Sequence, residues 1–304
     1  MTAGTSDKTS VTVVIPAFNE QSNIAHITWQ VLDEPWDDGL ALDEVIIVDD
    51  CSEDRTQEIT TDLARADSRV RVIRHAQRSG KNAGMRTGLS ASRSPIVAFL
   101  DADVRLGAQC VTKTVALLRD NSSLTAASCI LEPLPARSWH ERASRFQLLL
   151  VAELGCLGHG SLARVYALRR VATSGLALPD TVYDDIYILR WLRNHGYRYA
   201  LRTDATAYVR AARGLRDFAK QTIRTWRAAE ALDRLLPDKT PPAERRGRGV
   251  VARALRRAIV REPLGFVQYA VWRGIVTVTP TKVWLPVVDH SRYDTSISTK
   301  EVGV

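Results

Sequence analysis

Short apolar runs punctuate the first third of the chain, and the intervals between them have helical spacing. Val11–Ile15 (VTVVI) is β-branched and stops at Pro16. Asn23–Leu32 places its apolar positions on a helical stripe, with Asn19, Gln21 and Ser22 as start residues. Glu44–Val48 (EVIIV) is a second buried-strand run, halted by Asp49, Asp50, Cys51 and Ser52. Thr56–Ala66 then predicts a helix, Val70–Arg74 a strand, Gly80–Ser90 a helix, and Ile96–Leu100 (IVAFL) a strand ending at Asp101. Apolar strands alternating with helices argue for βαβ units and a parallel sheet. Ligands of such sheets bind beyond the carboxyl ends of the strands. The residues that follow Ile15, Val48 and Leu100 are therefore where chemistry is expected.

Farther along, the pattern is less regular. Thr125–Leu131 predicts a strand with a turn at Pro133 and Pro135, Ser138–Leu154 a helix, Arg164–Leu168 a strand, and Asp184–His195 a helix closed by Gly196. Tyr197–Leu201 and Thr206–Val209 read as two short strands, and Leu215–Leu236 as a long helix. Lys239–Gly249 (KTPPAERRGRG) is rich in Pro, Gly and Arg and makes the best internal boundary; there is no internal repeat. Past it, Val250–Arg261 sets Val251, Leu255 and Ile259 on one stripe flanked by Arg253, Arg256, Arg257 and Arg261. Leu264–Val288 carries Phe266, Tyr269, Trp272 and Trp284. Two readings fit this tail: a helix lying in a membrane interface, or a terminal helix packed on the preceding domain with its arginines snorkelling outward.

Composition narrows the class. In 304 residues, 45% are apolar and 25% charged, which excludes a disordered chain, a collagen and a disulfide scaffold. Cys51, Cys110, Cys129 and Cys156 lack metal-ligand spacing and are expected as small buried hydrophobes in a reducing compartment. Met1–Ser10 is polar, unlike a secretory signal. Leu264–Thr279, interrupted by Gln268 and Arg273, is too short to span a bilayer. The expected location is the cytoplasm, with peripheral contact at the inner membrane face if the tail is interfacial. The net charge of +8 has an address: Arg210–Glu262 holds 15 Lys+Arg against 6 Asp+Glu, an excess of nine, so the rest sums to −1. Nucleic acid is accordingly not an expected partner, and an anionic membrane is.

Three short motifs sit at strand or helix ends. Asp101-Ala102-Asp103 follows a buried strand, and two carboxylates one residue apart suit Mg²⁺ or Mn²⁺. The competing reading is a turn or helix cap. Asp49-Asp50 can accept hydrogen bonds from a base and ribose, or form a turn capped at Ser52. Gly80-Lys81-Asn82-Ala83-Gly84 opens a helix suited to phosphate. It lacks the spacing of a Walker loop, and no G-x-G-x-x-G follows the first strand, which argues against a nucleoside-triphosphatase and a nicotinamide dehydrogenase. His159, between two glycines, has no partner at metal spacing and receives no role.

Together, Val14–Glu20 (VIPAFNE), Val48–Ser52 (VDDCS), Gly80–Gly84 (GKNAG) and Asp101–Asp103 (DAD) resemble, in order and spacing, the GT-A-fold family 2 glycosyltransferases. The resemblance runs from about Val11 to Trp226, with a weaker match around Trp284–Lys300. It implies an α/β fold, a Rossmann-like, mostly parallel sheet flanked by helices with a helical C-terminal extension. It also implies a nucleotide-sugar donor, usually a UDP-sugar, with Mn²⁺ or Mg²⁺ and inversion at the anomeric carbon. The implied division is a disordered 1–10, a donor-binding half 11–124, an acceptor-binding half 125–238 and a basic tail 239–304. Pro16, Ala17, Glu20, Asp49, Asp50, Lys81, Asp101, Ala102, Asp103 and Gly160 are the implied donor-binding residues, with the metal on Asp103 and Asp101. Gly160–Arg170 is similar to the family's segment that floors the sugar pocket. Tyr183-Asp184-Asp185 is similar to its acidic pair at a helix start, which makes Asp185 the general base. An acceptor hydroxyl must lose a proton as it attacks, and an ionised carboxylate can take it. The competing role for the pair is to stabilise the helix dipole. Lys220–Trp226 (KQTIRTW) is similar to the family's Gln-x-x-Arg-Trp element with Thr225 inserted. It offers Gln221, Arg224 and Trp226 as diphosphate or acceptor candidates, against a helix with a core tryptophan, and Asp184 of the acidic pair is a further such candidate.

Two rivals stand beside this expectation of transfer to a glycan or lipid-linked acceptor in cell-surface or polysaccharide synthesis. A nucleotidyltransferase acting on a sugar phosphate would carry a Gly-rich basic loop where Ala17-Phe18-Asn19-Glu20 stands. A non-catalytic membrane-docking module would have no use for Asp101, Asp103 and Asp185.

Overall fold

The computed structural model describes residues 8–36, 39–157, 162–239, 247–280 and 283. The first strand shows why the chain folds as it does. In β1 (Thr9–Ala17) the residues Val11, Val13, Val14 and Ile15 are completely buried, so both faces of the strand must be covered. Val11, Val13 and Ile15 join a core with α1 (Ile24–Leu32), and Val14 joins a second core on the opposite face. The same alternation repeats in β2 (Leu40–Asp49), where Val45 and Ile47 face one core and Ile46 and Val48 the other.

The remaining elements are α2 (Thr56–Ala66), β3 (Val70–Arg74), α3 (Lys81–Ala91), β4 (Ile96–Leu100), β5 (Val104–Leu106), α4 (Cys110–Asp120), β6 (Ala126–Pro133), α5 (Arg142–Cys156), β7 (Val165–Arg169), α6 (Asp184–Asn194), β8 (Tyr199–Val209), α7 (Leu215–Leu235), α8 (Arg248–Arg261) and α9 (Pro263–Val278). One eight-stranded sheet has the order β3-β2-β1-β4-β7-β6-β8-β5. Strands β3, β2, β1 and β4 run parallel. β7 enters antiparallel between β4 and β6, and β6 is parallel to β8. Two reversals bring β6 and β8 back into the direction of β4, so the carboxyl ends of β1, β2, β4, β6 and β8 share one sheet edge.

The structure departs from the sequence reading at three places. β5 and α4 carry no counterpart among the expected elements. The two short strands expected at 197–201 and 206–209 are one strand, β8, because a bulge against Cys129–Ile130 absorbs residues 203–205. Of the cysteines, Cys110 and Cys129 are buried, whereas Cys51 is half-buried and Cys156 exposed.

The tail packs on the domain. Trp272 and Val276 of α9 join Ala143, Phe218, Ala219 and Ile223 in one cluster, while Ala258 of α8 joins Phe146 and Leu149 in another. Glu262, at the α8–α9 junction, is buried and pairs with Arg142 and Arg145 of α5. The face of α9 turned away from this contact remains exposed. Among the described residues no helix is long and apolar enough to cross a membrane. Trp284 and the segment around Trp284–Lys300 lie outside the described residues.

Candidate active site

The loops after β1 and β2 are stitched together. Asn19 N–H donates to Ser52 Oγ (3.0 Å), Glu53 N–H to Asn19 Oδ1 (2.9 Å), and Glu20 N–H to Thr56 Oγ1 (2.7 Å). Asn19 and Cys51 hold left-handed backbone conformations, φ 54° and 61°, that ordinary residues seldom adopt. Glu20 is buried, its carboxylate accepts from Asn23 Nδ2 (2.9 Å), and its carbonyl caps α1. Pro16 and Ala17 end β1 beside Val48 and Asp49. Asp49 accepts from Ser52 N–H (2.9 Å) and pairs with Arg74. Asp50 accepts from the Ser79 and Gly80 N–H groups (2.8 and 2.7 Å) and pairs with His75 Nδ1 (2.8 Å). The second carboxylate thus pins the loop that leads into α3. Gly80, at φ +92°, makes the turn that side chains disfavour.

That turn launches Lys81 into the centre of the site. Its ammonium lies 2.6 Å from Asp101 Oδ1 and 2.8 Å from Asp184 Oδ1, joining the end of β4 to the start of α6. Arg164, the residue before β7, places Nη1 2.8 Å from Asp101 Oδ2 and 3.5 Å from Asp103 Oδ1. Tyr166 O–H donates to Asp184 Oδ2 (2.9 Å). Burial by itself would raise the Asp101 pKa, but Lys81 and Arg164 outweigh it and hold the carboxyl below the ordinary range. Burial would likewise lower Lys81, yet Asp101 and Asp184 keep it charged and push it up. The Tyr166 hydroxyl is pushed well up by burial and then by Asp184, so it stays a donor. Asp185 lies close enough to bear on both Arg164 and Tyr166, and its Oδ1 accepts from Ile186 N–H (2.8 Å). Asp184 and Asp185 also occupy the first turn of α6, where negative charge meets the positive end of the helix dipole.

The loop before α6 is fixed from α3. Asn82 Nδ2 donates to the carbonyls of Pro179 (2.6 Å) and Val182 (3.0 Å), and Arg86 pairs with Asp180 (2.8 Å). Leu178, in the same loop, sits at φ 45°. Sequence reasoning missed Arg164, Tyr166, Asn82 and Arg86. Only strand pairing reveals Arg164: Leu100 opposes Val165, and Asp101 N–H donates to the Arg164 carbonyl (3.1 Å). Ala102 is buried between the two aspartates. Gly160 and His159 lie outside the described residues. Gln221, Arg224 and Trp226 are half-buried on α7. Trp226 packs beside the Phe218–Trp272 cluster and carries Arg273 4.5 Å over its ring, so the inserted Thr225 leaves it facing the tail.

Asp101, Asp103, Asp184 and Asp185 thus gather about Lys81 and Arg164. Asp101 and Asp103 already converge on one cationic nitrogen of Arg164, an all-oxygen pair of the kind Mg²⁺ and Mn²⁺ prefer. Among the described residues no group of three or more His, Cys, Asp or Glu side chains gathers at one metal position.

Among solved structures, the chain is similar to the mannosyltransferase PcManGT of Pyrobaculum calidifontis, a complex with GDP-Man and Mn²⁺. That match has a TM-score of 0.59 and 21% identity, covering 90% of this chain and 82% of that one. The glucosyl-3-phosphoglycerate synthase of Mycobacterium tuberculosis, with Mn²⁺ and UDP, matches with a TM-score of 0.52 and 21% identity over 77% and 81% of the two chains. These likenesses establish the GT-A fold. Among curated proteins, the glycosyltransferase AglE of Haloferax volcanii is 32% identical over 93 residues, 31% of this chain and 30% of that protein. The dolichol-phosphate mannosyltransferase of Pyrococcus furiosus is 26% identical over 129 residues, 42% and 36% of the two. The chain spans about a third of the length of the curated relatives it matches. The sequence profile of glycosyl transferase family 2 matches residues 12–171, from β1 through β7 and more than half of the chain, and the protein belongs to that family.

Proposed function

We propose that this protein is a metal-dependent inverting glycosyltransferase. It moves a sugar from a UDP-sugar to an acceptor hydroxyl in the synthesis of a cell-surface or lipid-linked glycan. The observation that carries the reading is the Lys81 clamp, which joins the two-aspartate motif at the end of β4 to the acidic pair of α6, its own contact to Asp184 spanning 103 residues of chain. In this reading Pro16, Ala17, Glu20, Asp49 and Asp50 shape the nucleotide end, with Asp49 and Asp50 acting through the loops they hold. Asp101 and Asp103 hold a divalent ion, which when bound would neutralise charge on the leaving diphosphate. Lys81 and Tyr166 fix Asp184 and thereby orient the turn that bears Asp185. Asp185 accepts the acceptor's proton as its oxygen attacks the anomeric carbon from the side opposite the leaving group. Arg224 and Gln221 are proposed at the diphosphate or acceptor side.

The test is a thermal-shift and calorimetric screen of nucleotide sugars with and without Mn²⁺, since a ligand that binds only the native state raises its melting temperature. UDP-sugars are expected to stabilise the protein only with the metal, and Asp103→Asn is expected to lose that dependence. Metal-independent donor binding that ignores Asp103→Asn sinks the reading. Peripheral contact with an anionic membrane at the cytoplasmic face belongs to the same proposal. The exposed face of α9 supports it, with Leu264, Val267, Val271, Ile275 and Val278 along one stripe.

A further inference from the structure

Arg210 is an unusual arginine. It follows β8 directly and is only 9% exposed, and its Nε finds no hydrogen-bond partner among the described residues. Its Nη1 donates to the Pro135 carbonyl (3.1 Å). A buried guanidinium N–H left unpaired is costly, and an anion that fills the position would recover the loss. Its surroundings add positive charge. Burial, and then Arg137, Arg213 and Arg105 within electrostatic reach, depress the Arg210 pKa against the opposing pull of Glu141. Glu141, an acid in this neighbourhood, is buried, accepts from Arg137 N–H (2.7 Å) and lies 3.7 Å from Arg213 Nε.

The cluster adjoins the carboxylate site. Antiparallel pairing of Val104 with Val209 sets Asp103 and Arg210 side by side where that ladder ends, and Arg105 is two residues beyond Asp103. Leu134 N–H donates to the Val209 carbonyl (2.9 Å), which draws the Pro135–Arg137 turn to the same sheet edge. We infer that Arg210, with Arg105, Arg137 and Arg213, forms a binding site for a phosphate group on the acceptor. A phosphate offers three acceptor oxygens to planar guanidinium forks, which bind it bidentately. This inference rests on the glycosyl-transfer reading and deepens it: the acceptor is a phosphate-bearing molecule, anchored next to Asp103. Its phosphate is carried either by a soluble monoester or by a lipid.

Calorimetry with inorganic phosphate and glycerol 3-phosphate on the full chain, saturated with UDP and Mn²⁺ so that the diphosphate position is filled, tests the site. Binding is expected. Arg137→Ala and Arg213→Ala, both at accessible positions, are each expected to weaken it about tenfold, the scale of one hydrogen bond between charged groups. Arg210→Ala is expected to abolish binding if it folds, and the two accessible variants decide the matter if it does not. Phosphatidylcholine vesicles carrying phosphatidic acid, set against vesicles carrying phosphatidylglycerol, separate the sources. A preference for phosphatidic acid that Arg137→Ala removes assigns a lipid phosphate. Binding of the soluble esters with no such preference assigns a soluble one. Phosphate that fails to bind, or binds all variants equally, overturns the inference. UDP–Mn²⁺ binding is read on the same samples, so UDP binding without phosphate binding leaves the glycosyl-transfer reading intact, and loss of both removes it.

Discussion

Asp101 spends one oxygen on Lys81 and the other on Arg164, and the consequences divide along that line. Arg164 stands where Asp101 and Asp103 converge, so it competes with any cation brought to them. Arg164→Ala is expected to bind Mn²⁺ at least about tenfold more tightly in the absence of nucleotide, the scale of one charge-assisted contact. Its melting temperature is expected to respond more to Mn²⁺ than the parent's. Unchanged Mn²⁺ affinity by electron paramagnetic resonance would show that the guanidinium does not occupy the ion's position. Asp185, beside this network, is expected to behave differently: Asp185→Asn keeps donor binding while turnover falls by roughly 10²–10⁴-fold, the usual contribution of a positioned base. The pH dependence has a defined sign. The Asp101 carboxyl titrates lower in the folded protein than its ordinary value of 3.8, so the unfolded chain takes up the proton first as pH falls. The clamp's stabilisation is complete above that value and disappears as pH drops through the folded pKa. Chemical denaturation of the parent and Asp101→Asn is expected to show a stability gap that is constant from pH 6 to 8 and shrinks below about pH 4.

The helix that carries Lys81 is located by close packing. A methyl group added at Gly88 would meet Val14 Cγ1 at 2.3 Å, with Val14 fully buried in β1, whereas one at Gly84 would meet Pro16 Cβ at 3.3 Å. Gly88→Ala must therefore push α3 off the sheet, and is expected to cost about 1–3 kcal/mol, the usual range for overpacking. Donor binding is expected to fall with it, because the Lys81 and Asn82 contacts to α6 move as a unit. Gly84→Ala is expected to be milder, and urea denaturation of both variants ranks them. The strands β1, β2 and β4 and the motifs at their ends were legible because each is a local apolar run followed by a turn. Helix α4 was not, although Val111, Val115 and Leu118 have helical spacing. Gln109 stands in a left-handed conformation where a capping side chain is expected, and the cap comes from Glu34, which accepts from the N–H groups of Val111 (3.0 Å) and Thr112 (2.7 Å). The same holds for the site. The acidic residues and Lys81 were visible as motifs, but Arg164 was not, since it reaches Asp101 only through the antiparallel pairing of β7 with β4.

At the scale of the molecule, the tail packs on the domain along one side and leaves an apolar stripe exposed on the other. One side of α9 is core: Gly265, Gln268, Trp272 and Val276 are buried, and Gln268 accepts from Ala143 N–H (2.9 Å). The other side has no charge. Leu264, Val267, Val271, Ile275 and Val278 are 37–82% exposed along a helix about 24 Å long at 1.5 Å per residue. Residues 248–278 hold six arginines and a single acid, Glu262, which is buried between Arg142 and Arg145. Among the described residues Arg253 and Arg256 are exposed and make no ion pair. An uncharged stripe beside exposed arginines suits the boundary of an anionic bilayer, where apolar side chains enter the acyl edge and arginines meet headgroups. Trp139 extends the surface, since Arg142, which pairs with Glu262, also lies over its ring, and the indole is 53% exposed. The full chain is expected to sediment with phosphatidylglycerol-containing vesicles, less with phosphatidylcholine alone, and less as salt rises. Val267→Ser with Val271→Ser changes only exposed positions and is expected to weaken binding by about tenfold or more, from the apolar area withdrawn from lipid. Arg253→Glu with Arg256→Glu is expected to abolish the preference for anionic lipid. Loss of vesicle binding in neither pair, or concentration-dependent dimerisation that the serine pair removes, would assign the stripe to protein contact and leave the enzyme unanchored by α9.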